Sequence, residues 1–343
     1  HLARRDRPVD LMNLTGYRRE LDRYRQAFPT KADSLARQYN AMYEWTLSDA
    51  NRIVNGEHLY AGSSTNWIRF DKGTVDWVNN RGNLYGFHYM GSLEPLLLAW
   101  AYTNDEKYAK AFADAFNDWW EQRDEVKPQR VVWYKLGLAI RGRRLAQTLH
   151  HLASTESFDT RTQTRMLKTI LGSCRWLMRD WEQKPAWSSN WGLFVATGFI
   201  QMGTLFPEFR ESEAWIRQGN EIMRRYARTV KPDGGTEALG YHAGIIVSLT
   251  RPQQLLRANN RPGYVDDPHL RDSLRRGVRL LANMTMPNGQ FPAIGDGRYG
   301  NPVEALSLGA DVLQDAEVKG ALARIGKYQI GRTNGFHVSG LDT

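Results

Sequence analysis

Apolar side chains recur at three- and four-residue intervals along almost the whole chain, the mark of amphipathic helices. Between Asp105 and Glu121 the stripe is Tyr108, Phe112, Phe116, Trp119 and Trp120, and between Glu211 and Val230 it is Trp215, Ile222, Tyr226 and Val230. The same period predicts helices over Leu35 to Ile53, Gly91 to Tyr102, Val131 to Ala153, Thr160 to Glu182, Trp191 to Phe206, Glu237 to Leu256, His269 to Met284 and Pro302 to Ile325. Turn chemistry separates them: Thr103-Asn104-Asp105, Lys184-Pro185, Phe206-Pro207, Lys231-Pro232-Asp233-Gly234-Gly235 and Met286-Pro287-Asn288-Gly289. About ten helices joined by short connections imply antiparallel hairpins packed side by side. No repeat appears at a fixed period, so the expectation is an all-α fold, an α/α toroid or incomplete barrel of hairpins, rather than a solenoid.

From Lys327 the pattern changes. Tyr328, Ile330, Phe336 and Val338 alternate among glycine and polar residues, as strand residues do. The expected organisation is a toroid over residues 1–326 and the start of a β region over 327–343.

Composition narrows the partner. Forty-six Lys and Arg against 37 Asp and Glu leave a net charge of +9, which steers polyanions towards the chain. Twelve Trp and 15 Tyr suit either a helical core or the flat faces of sugars. The single cysteine, Cys174, excludes an internal disulfide and any Cys-based zinc site, and its expected place is a helix core. No His-x-x-x-His pair or carboxylate cluster has metal spacing, so no metal and no cofactor are expected. No apolar run reaches 18 residues, so no segment is expected to span a membrane. The chain opens at His1-Leu2-Ala3-Arg4-Arg5 without an initiator Met, as a processed export product or a trimmed piece would.

Two short signatures carry the candidate chemistry: Ser188-Ser189-Asn190-Trp191, and Asp233-Gly234 running through Glu237 to Tyr241-His242. Together they supply an amide, a phenol and an imidazole. Asn190 precedes an apolar run, where a helix N-cap also belongs. Tyr241 and His242 fall about one turn into a helix expected to begin near Thr236, with Glu237 four residues before Tyr241 and so on its face. His88 and Tyr89 open another expected helix, as packed or catalytic residues. Arg141, Arg143 and Arg144 share one helix, two turns after Trp133; the same charge suits a solvated basic face or a carboxylate-binding arginine. His150-His151 ends a helix, where a solvated cation suits the dipole, and His269 follows Pro268 at a helix start.

The order of these pieces resembles the toroid domain of the heparinase II/III-like polysaccharide lyases. It runs from Asn190-Trp191 through an apolar helix ending Leu205-Phe206-Pro207-Glu208 to Trp215, Asp233-Gly234, Glu237 and Tyr241-His242. The resemblance extends over Gly86 to Asp296, with Arg141 and Gly295-Asp296 matching further family features, and Asn and Tyr-His elements occur similarly in toroidal alginate lyases. It implies β-elimination on a uronate-containing acidic polysaccharide, a glycosaminoglycan such as heparan sulfate or hyaluronan first and alginate second. Asn190, Tyr241, His242 and His88 are then the catalytic candidates, and Arg141, Trp133, Trp191, Glu237 and Tyr89 the substrate-binding ones. Nucleic acid and membrane are not expected partners, and the implied location is periplasmic or secreted.

The chemical demand is plain. Removing the C5 proton builds charge on the uronate carboxylate, so donors aimed at its oxygens favour the transition state over the ground state. An unperturbed tyrosine is about a thousandth phenolate at pH 7, a deficit of roughly 4 kcal/mol that neighbouring groups such as His242 would have to offset. The resemblance also implies a β-sandwich domain after the toroid, carrying a further histidine; His337 lies in the expected β stretch and reads as an ordinary strand residue. If the toroid works against such a domain, an uncovered apolar rim is expected near Phe291 to Tyr299 and along the tail from Tyr328 to Val338. Two other classes fit part of the pattern. An inverting glycoside hydrolase would cast Glu237 and Asp296 as its carboxylate pair, with Asp71, Asp76 and Glu94 in reserve. A noncatalytic polyanion-binding domain would need only the basic charge and the tryptophans.

Overall fold

The computed structural model describes residues 8–10, 26, 34–59, 67–69, 75–79, 84–185, 190–229, 238–295, 297 and 299–326. Helix α1 (Ser34–Val54) leads into an antiparallel hairpin, β1 (Glu57–Leu59) against β2 (Trp67–Arg69), with His58 opposite Ile68. Next come a short α2 (Leu84–Phe87), a 3-10 turn (Gly91–Leu93), α3 (Glu94–Thr103) and α4 (Glu106–Gln122). A second 3-10 turn (Gln129–Val131) precedes α5 (Lys135–Leu152), α6 (Thr160–Gln183), α7 (Asn190–Leu205), α8 (Ser212–Thr229), α9 (Leu239–Ala258), α10 (Pro268–Asn283), α11 (Val303–Leu313) and α12 (Ala316–Gly326).

Local chemistry sets most of these boundaries. Asn104 takes the left-handed conformation (φ 57°) that ends α3, and the Asp105 carboxylate then accepts from the Lys107 N–H at 3.0 Å to start α4. Asp159 caps α6 in the same way, and Asp267, followed by Pro268, caps α10. Four expectations shift. The helix predicted from Val131 starts at Lys135, after the 3-10 turn, and the helix predicted from Glu237 starts at Leu239. His88 and Tyr89 do not open a helix but follow α2 in a turn. The run from Pro302 to Ile325 is two helices, because Gln314 is left-handed (φ 55°) and Asp315 accepts from the N–H groups of Glu317 and Val318 at 3.1 and 3.3 Å. The β stretch expected from Lys327 lies outside the described residues.

The chain divides into two compact units, residues 1–184 with 201–212, and residues 185–200 with 213–343. In the first, α5 packs on α6, α3 on α4 and α1, and α4 on α6. Phe112, Phe116, Trp119, Leu145, Leu149, Met166, Ile170 and Cys174 are at most 2% exposed, so the predicted stripe of α4 is the core. Burial pushes the Cys174 thiol's pKa up, consistent with an inert packing role. In the second, α9, α10 and α11 pack pairwise, with α12 on α10 and α11. Beyond its exposed first two residues the α7 sequence is apolar on every side, and its residues Val195, Ala196, Phe199 and Ile200 are inaccessible. Gly219 on α8 leaves room for it: a Cβ there would stand 2.7 Å from Ile200 Cγ1 and 2.9 Å from the Ala196 carbonyl.

Candidate active site

In the first unit, α5 holds the turn that carries His88 and Tyr89. Arg141 donates from one terminal nitrogen to the His88 carbonyl at 2.9 Å and from the other to the Val132 carbonyl at 2.8 Å, and Arg144 donates to the Tyr89 carbonyl at 3.2 Å. Met90, left-handed at φ 62°, completes the turn, and the Arg144 guanidinium occupies the space that a side chain at position 91 would take. Arg141 is therefore no part of a solvated face. It is wholly buried, its guanidinium 4.8 Å from the Trp119 ring and 5.7 Å from the Trp133 ring, and burial lowers its pKa to about 9, which leaves it charged at neutral pH. With both terminal nitrogens on backbone carbonyls, it positions the turn.

His88 is inaccessible to solvent, and its Nδ1 lies 3.2 Å from Trp119 Nε1. Indole N–H only donates, so Nδ1 accepts and the neutral ring carries its proton on Nε2, an N–H group without a hydrogen-bond partner among the described residues. Burial, aided by the nearby Arg141 charge, lowers the His88 pKa to about 4, so the ring is a neutral donor at physiological pH. Tyr89 and Tyr134 share a hydroxyl-to-hydroxyl hydrogen bond, and Tyr85 packs edge-on against Tyr134 with ring centroids 5.0 Å apart. The Tyr134 ring lies over Gly137, where a Cβ would meet it at 2.5 Å. Burial first, and then the Tyr89 bond, push the Tyr134 pKa up, which keeps the phenol protonated. The first unit thus brings His88, Tyr89, Trp133 and Arg141 near one another, together with Trp119, Tyr134 and Arg144.

In the second unit, Asn190 is the first residue of α7 and is exposed; Trp191 beside it is 44% exposed. Tyr241 and His242 lie in the first turn of α9 and face opposite environments, the phenol 52% exposed and the imidazole 2%. His242 Nε2 donates to the Gly277 carbonyl at 2.8 Å, and burial lowers the His242 pKa despite that bond. Its Nδ1 is a buried lone pair without a hydrogen-bond partner among the described residues. A lone pair has no donor to offer a phenolate, so the expected part of His242 as a stabiliser of Tyr241's anion does not hold in this arrangement.

Other candidates resolve differently. Glu237, Asp296, Asp71 and His337 lie outside the described residues. Asp76 accepts from the N–H groups of Val78 and Asn79 as a turn cap, and Glu94 pairs with Arg144 at 3.8 Å. His151 is not solvated at its helix end; its Nε2 lies 2.9 Å from the Asp10 carboxylate. His269 does stand at the start of α10. In the expected rim, Ile294 and Tyr299 are 46% and 65% exposed, whereas Phe291 is buried. Among the described residues, no group of three or more His, Cys, Asp or Glu side chains could hold a metal ion, and no helix is long and apolar enough to cross a membrane.

With these positions established, residues 12–307 match the Heparinase II/III N-terminus family. The chain belongs to that family. It is 23% identical over 199 residues to a heparin-sulfate lyase of Bacteroides thetaiotaomicron, a match covering 57% of this chain and 28% of that protein. It is 21% identical over 238 residues to a heparin-sulfate lyase of Pedobacter heparinus, covering 66% and 35%. Among solved structures it superposes on the heparan sulfate lyase HepC of Pedobacter heparinus with a TM-score of 0.67 at 18% identity, covering 93% of this chain and 51% of that one. Another crystal structure, of heparinase III, gives 0.67 at 16% identity, covering 94% and 50%. The matches therefore span about a third of the curated relatives' length and about half of the solved chains. The likeness shows the fold to be the α/α toroid of the heparinases.

Proposed function

We propose that this toroid serves a lyase that cleaves a uronate-containing glycosaminoglycan, heparan sulfate first, by β-elimination. The observation that carries the reading is the exposed amide of Asn190 at the start of α7, together with the exposed phenol of Tyr241 in the first turn of α9, in a chain of the heparinase II/III family. Relatives named heparin-sulfate lyase support the substrate class. Tyr241 exchanges the proton: as its phenolate it takes the hydrogen from C5 of the uronate, a C4–C5 double bond forms, the C4–O bond breaks, and the phenol so formed returns that proton to the leaving oxygen. The Asn190 amide donates to the carboxylate oxygens as charge builds on them, and Trp191 offers a sugar face.

The net charge of +9 fits a polyanionic substrate. Such polymers do not cross membranes unaided, so the reading carries with it a periplasmic or secreted location. A panel of heparan sulfate, hyaluronan, alginate and a neutral glycan tests it. A lyase leaves an ultraviolet-absorbing unsaturated end on the uronate polymers alone. Reducing ends without that absorbance would identify a hydrolase, and binding without either product a noncatalytic domain.

A further inference from the structure

The solvent face of α6 carries a charge pattern that packing does not explain. From Thr160 to Arg179 the helix has five cations, Arg161, Arg165, Lys168, Arg175 and Arg179, and no carboxylate. Acid enters only with Asp180, which pairs with Lys135 at 3.0 Å, and Glu182. At three- and four-residue spacing the five fall along one line about 27 Å long, opposite the buried Met166, Ile170, Cys174 and Leu177. Arg161, Lys168, Arg175 and Arg179 are exposed, and Arg165 is partly covered. Two carboxylates reach the line: Glu121 pairs with Arg161 at 3.0 Å and also with Arg165, and Glu211 pairs with Arg175 at 2.6 Å. Neither Lys168 nor Arg179 has an acidic partner among the described residues.

This arrangement lowers the stability of the helix. Surface helices gain from opposite charges three or four residues apart and lose from like ones, yet Arg161 with Arg165 and Arg175 with Arg179 are like charges at four, and Arg165 with Lys168 at three. Gly172 stands in the middle of the same line, between Lys168 and Arg175. It lies inside a regular helix without a positive φ, and a Cβ there would meet no atom within 4 Å. Neither conformation nor packing therefore calls for glycine where alanine would be more favourable. Both departures fall on one exposed strip, and together they leave a flat run of positive charge.

We infer that this face of α6 is an exosite for an extended anionic polysaccharide, holding a stretch of polymer away from the bond that is cleaved. A line of cations matches a line of carboxylates and sulfates along a chain, whereas a single small anion would meet only one or two of them. The bare Cα of Gly172 lets the chain lie close to the helix. None of the exposed residues of the strip carries an aromatic side chain on which bases of a single-stranded nucleic acid could stack. None carries an apolar side chain to insert into a lipid surface, because the apolar face of α6 packs on α5. Such a site raises the concentration of polymer around the enzyme and so acts on KM rather than kcat. The choice of heparan sulfate as the polymer rests on the lyase reading; the binding of a polyanion along α6 does not.

The test reverses the two unpaired cations in the 343-residue protein, Lys168→Glu with Arg179→Glu. A control pair, Arg217→Glu with Arg276→Glu, removes the same charge from exposed positions of the second unit. Titration calorimetry with long heparan sulfate at fixed salt is expected to show Kd weakened roughly tenfold or more in the α6 pair and less than about threefold in the control, both proteins melting like the wild type. The neutral pair Lys168→Gln with Arg179→Gln should fall between them. In turnover, the α6 pair should raise KM for long heparan sulfate at unchanged kcat and leave both constants unchanged on a heparan sulfate tetrasaccharide. Wild-type affinity in the α6 pair, equal losses in the α6 and control pairs, or a wild type that does not bind heparan sulfate would overturn the proposal. So would an equal loss on the tetrasaccharide, which would put the strip in the cleft itself, or duplex DNA bound at least as tightly as heparan sulfate through the same two residues. A wild type that binds heparan sulfate without turning it over would count against the lyase reading, while the calorimetric comparison would still decide the exosite.

Discussion

Acid should destabilise the first unit through His88, and the effect can be worked through. The ring ordinarily titrates at 6.5 and does so at about 4 in the folded protein, chiefly because burial excludes water from the charged form and then because Arg141 lies close. Above pH 6.5 neither state holds the extra proton, and the stability is fully present. Between 6.5 and 4 the unfolded chain binds a proton that the folded chain refuses, so stability falls as pH falls, and below 4 the two states respond alike. A gap of about 2.5 pH units at 1.36 kcal/mol each amounts to about 3 kcal/mol. His58, likewise buried and lowered to about 4, adds a similar loss. His88→Asn keeps an acceptor oxygen for the Trp119 N–H but removes the titration. Denaturant unfolding of both proteins at several pH values between 7 and 4 should therefore show the variant losing about 3 kcal/mol less than the wild type, the carboxylates common to both cancelling. Parallel pH profiles for the two proteins would refute the argument, because they would mean that the ring is already charged or already solvated in the folded state.

Two further expectations follow from the proposed chemistry. Asn190→Ala should lower kcat about a hundredfold or more while changing unfolding stability by less than about 1 kcal/mol, since the residue is exposed; a lowered melting temperature with turnover intact would mean that Asn190 serves only the helix end. Binding of heparan sulfate, followed by titration calorimetry, should weaken steeply as added salt shortens the Debye length to ~8 Å and below, and salt-insensitive binding would place the affinity in aromatic stacking instead.

The helical period was enough to place most of the toroid, because amphipathic stripes report which face is buried. It does not report what the buried face touches. Trp119 belongs to the α4 stripe by spacing, yet nothing in the spacing indicates that its N–H reaches His88, 31 residues earlier. Arg141 and Arg144 read as charge on a helix, and only the fold shows that they are spent on the carbonyls of the 88–90 turn. Some missed features did carry a signal. Gln314-Asp315 is a helix stop followed by an N-cap within an otherwise continuous apolar pattern, and an isolated glycine such as Gly219 inside a helix marks a close approach. The hairpin of β1 and β2 has three-residue strands, too short for alternation to register. Of the site, the residue types and their order were legible at Asn190 and Tyr241-His242, whereas exposure of the phenol against burial of the adjacent imidazole is a property of how α9 meets α10.

Tyr241→Phe tests the central claim most directly, since it removes one oxygen atom from a half-exposed side chain and leaves the helix intact. Formation of the ultraviolet-absorbing unsaturated uronate from heparan sulfate should be readily measured for the wild type and reduced by at least about a hundredfold in the variant, with unchanged unfolding. A variant that makes the unsaturated product at the wild-type rate would contradict the account.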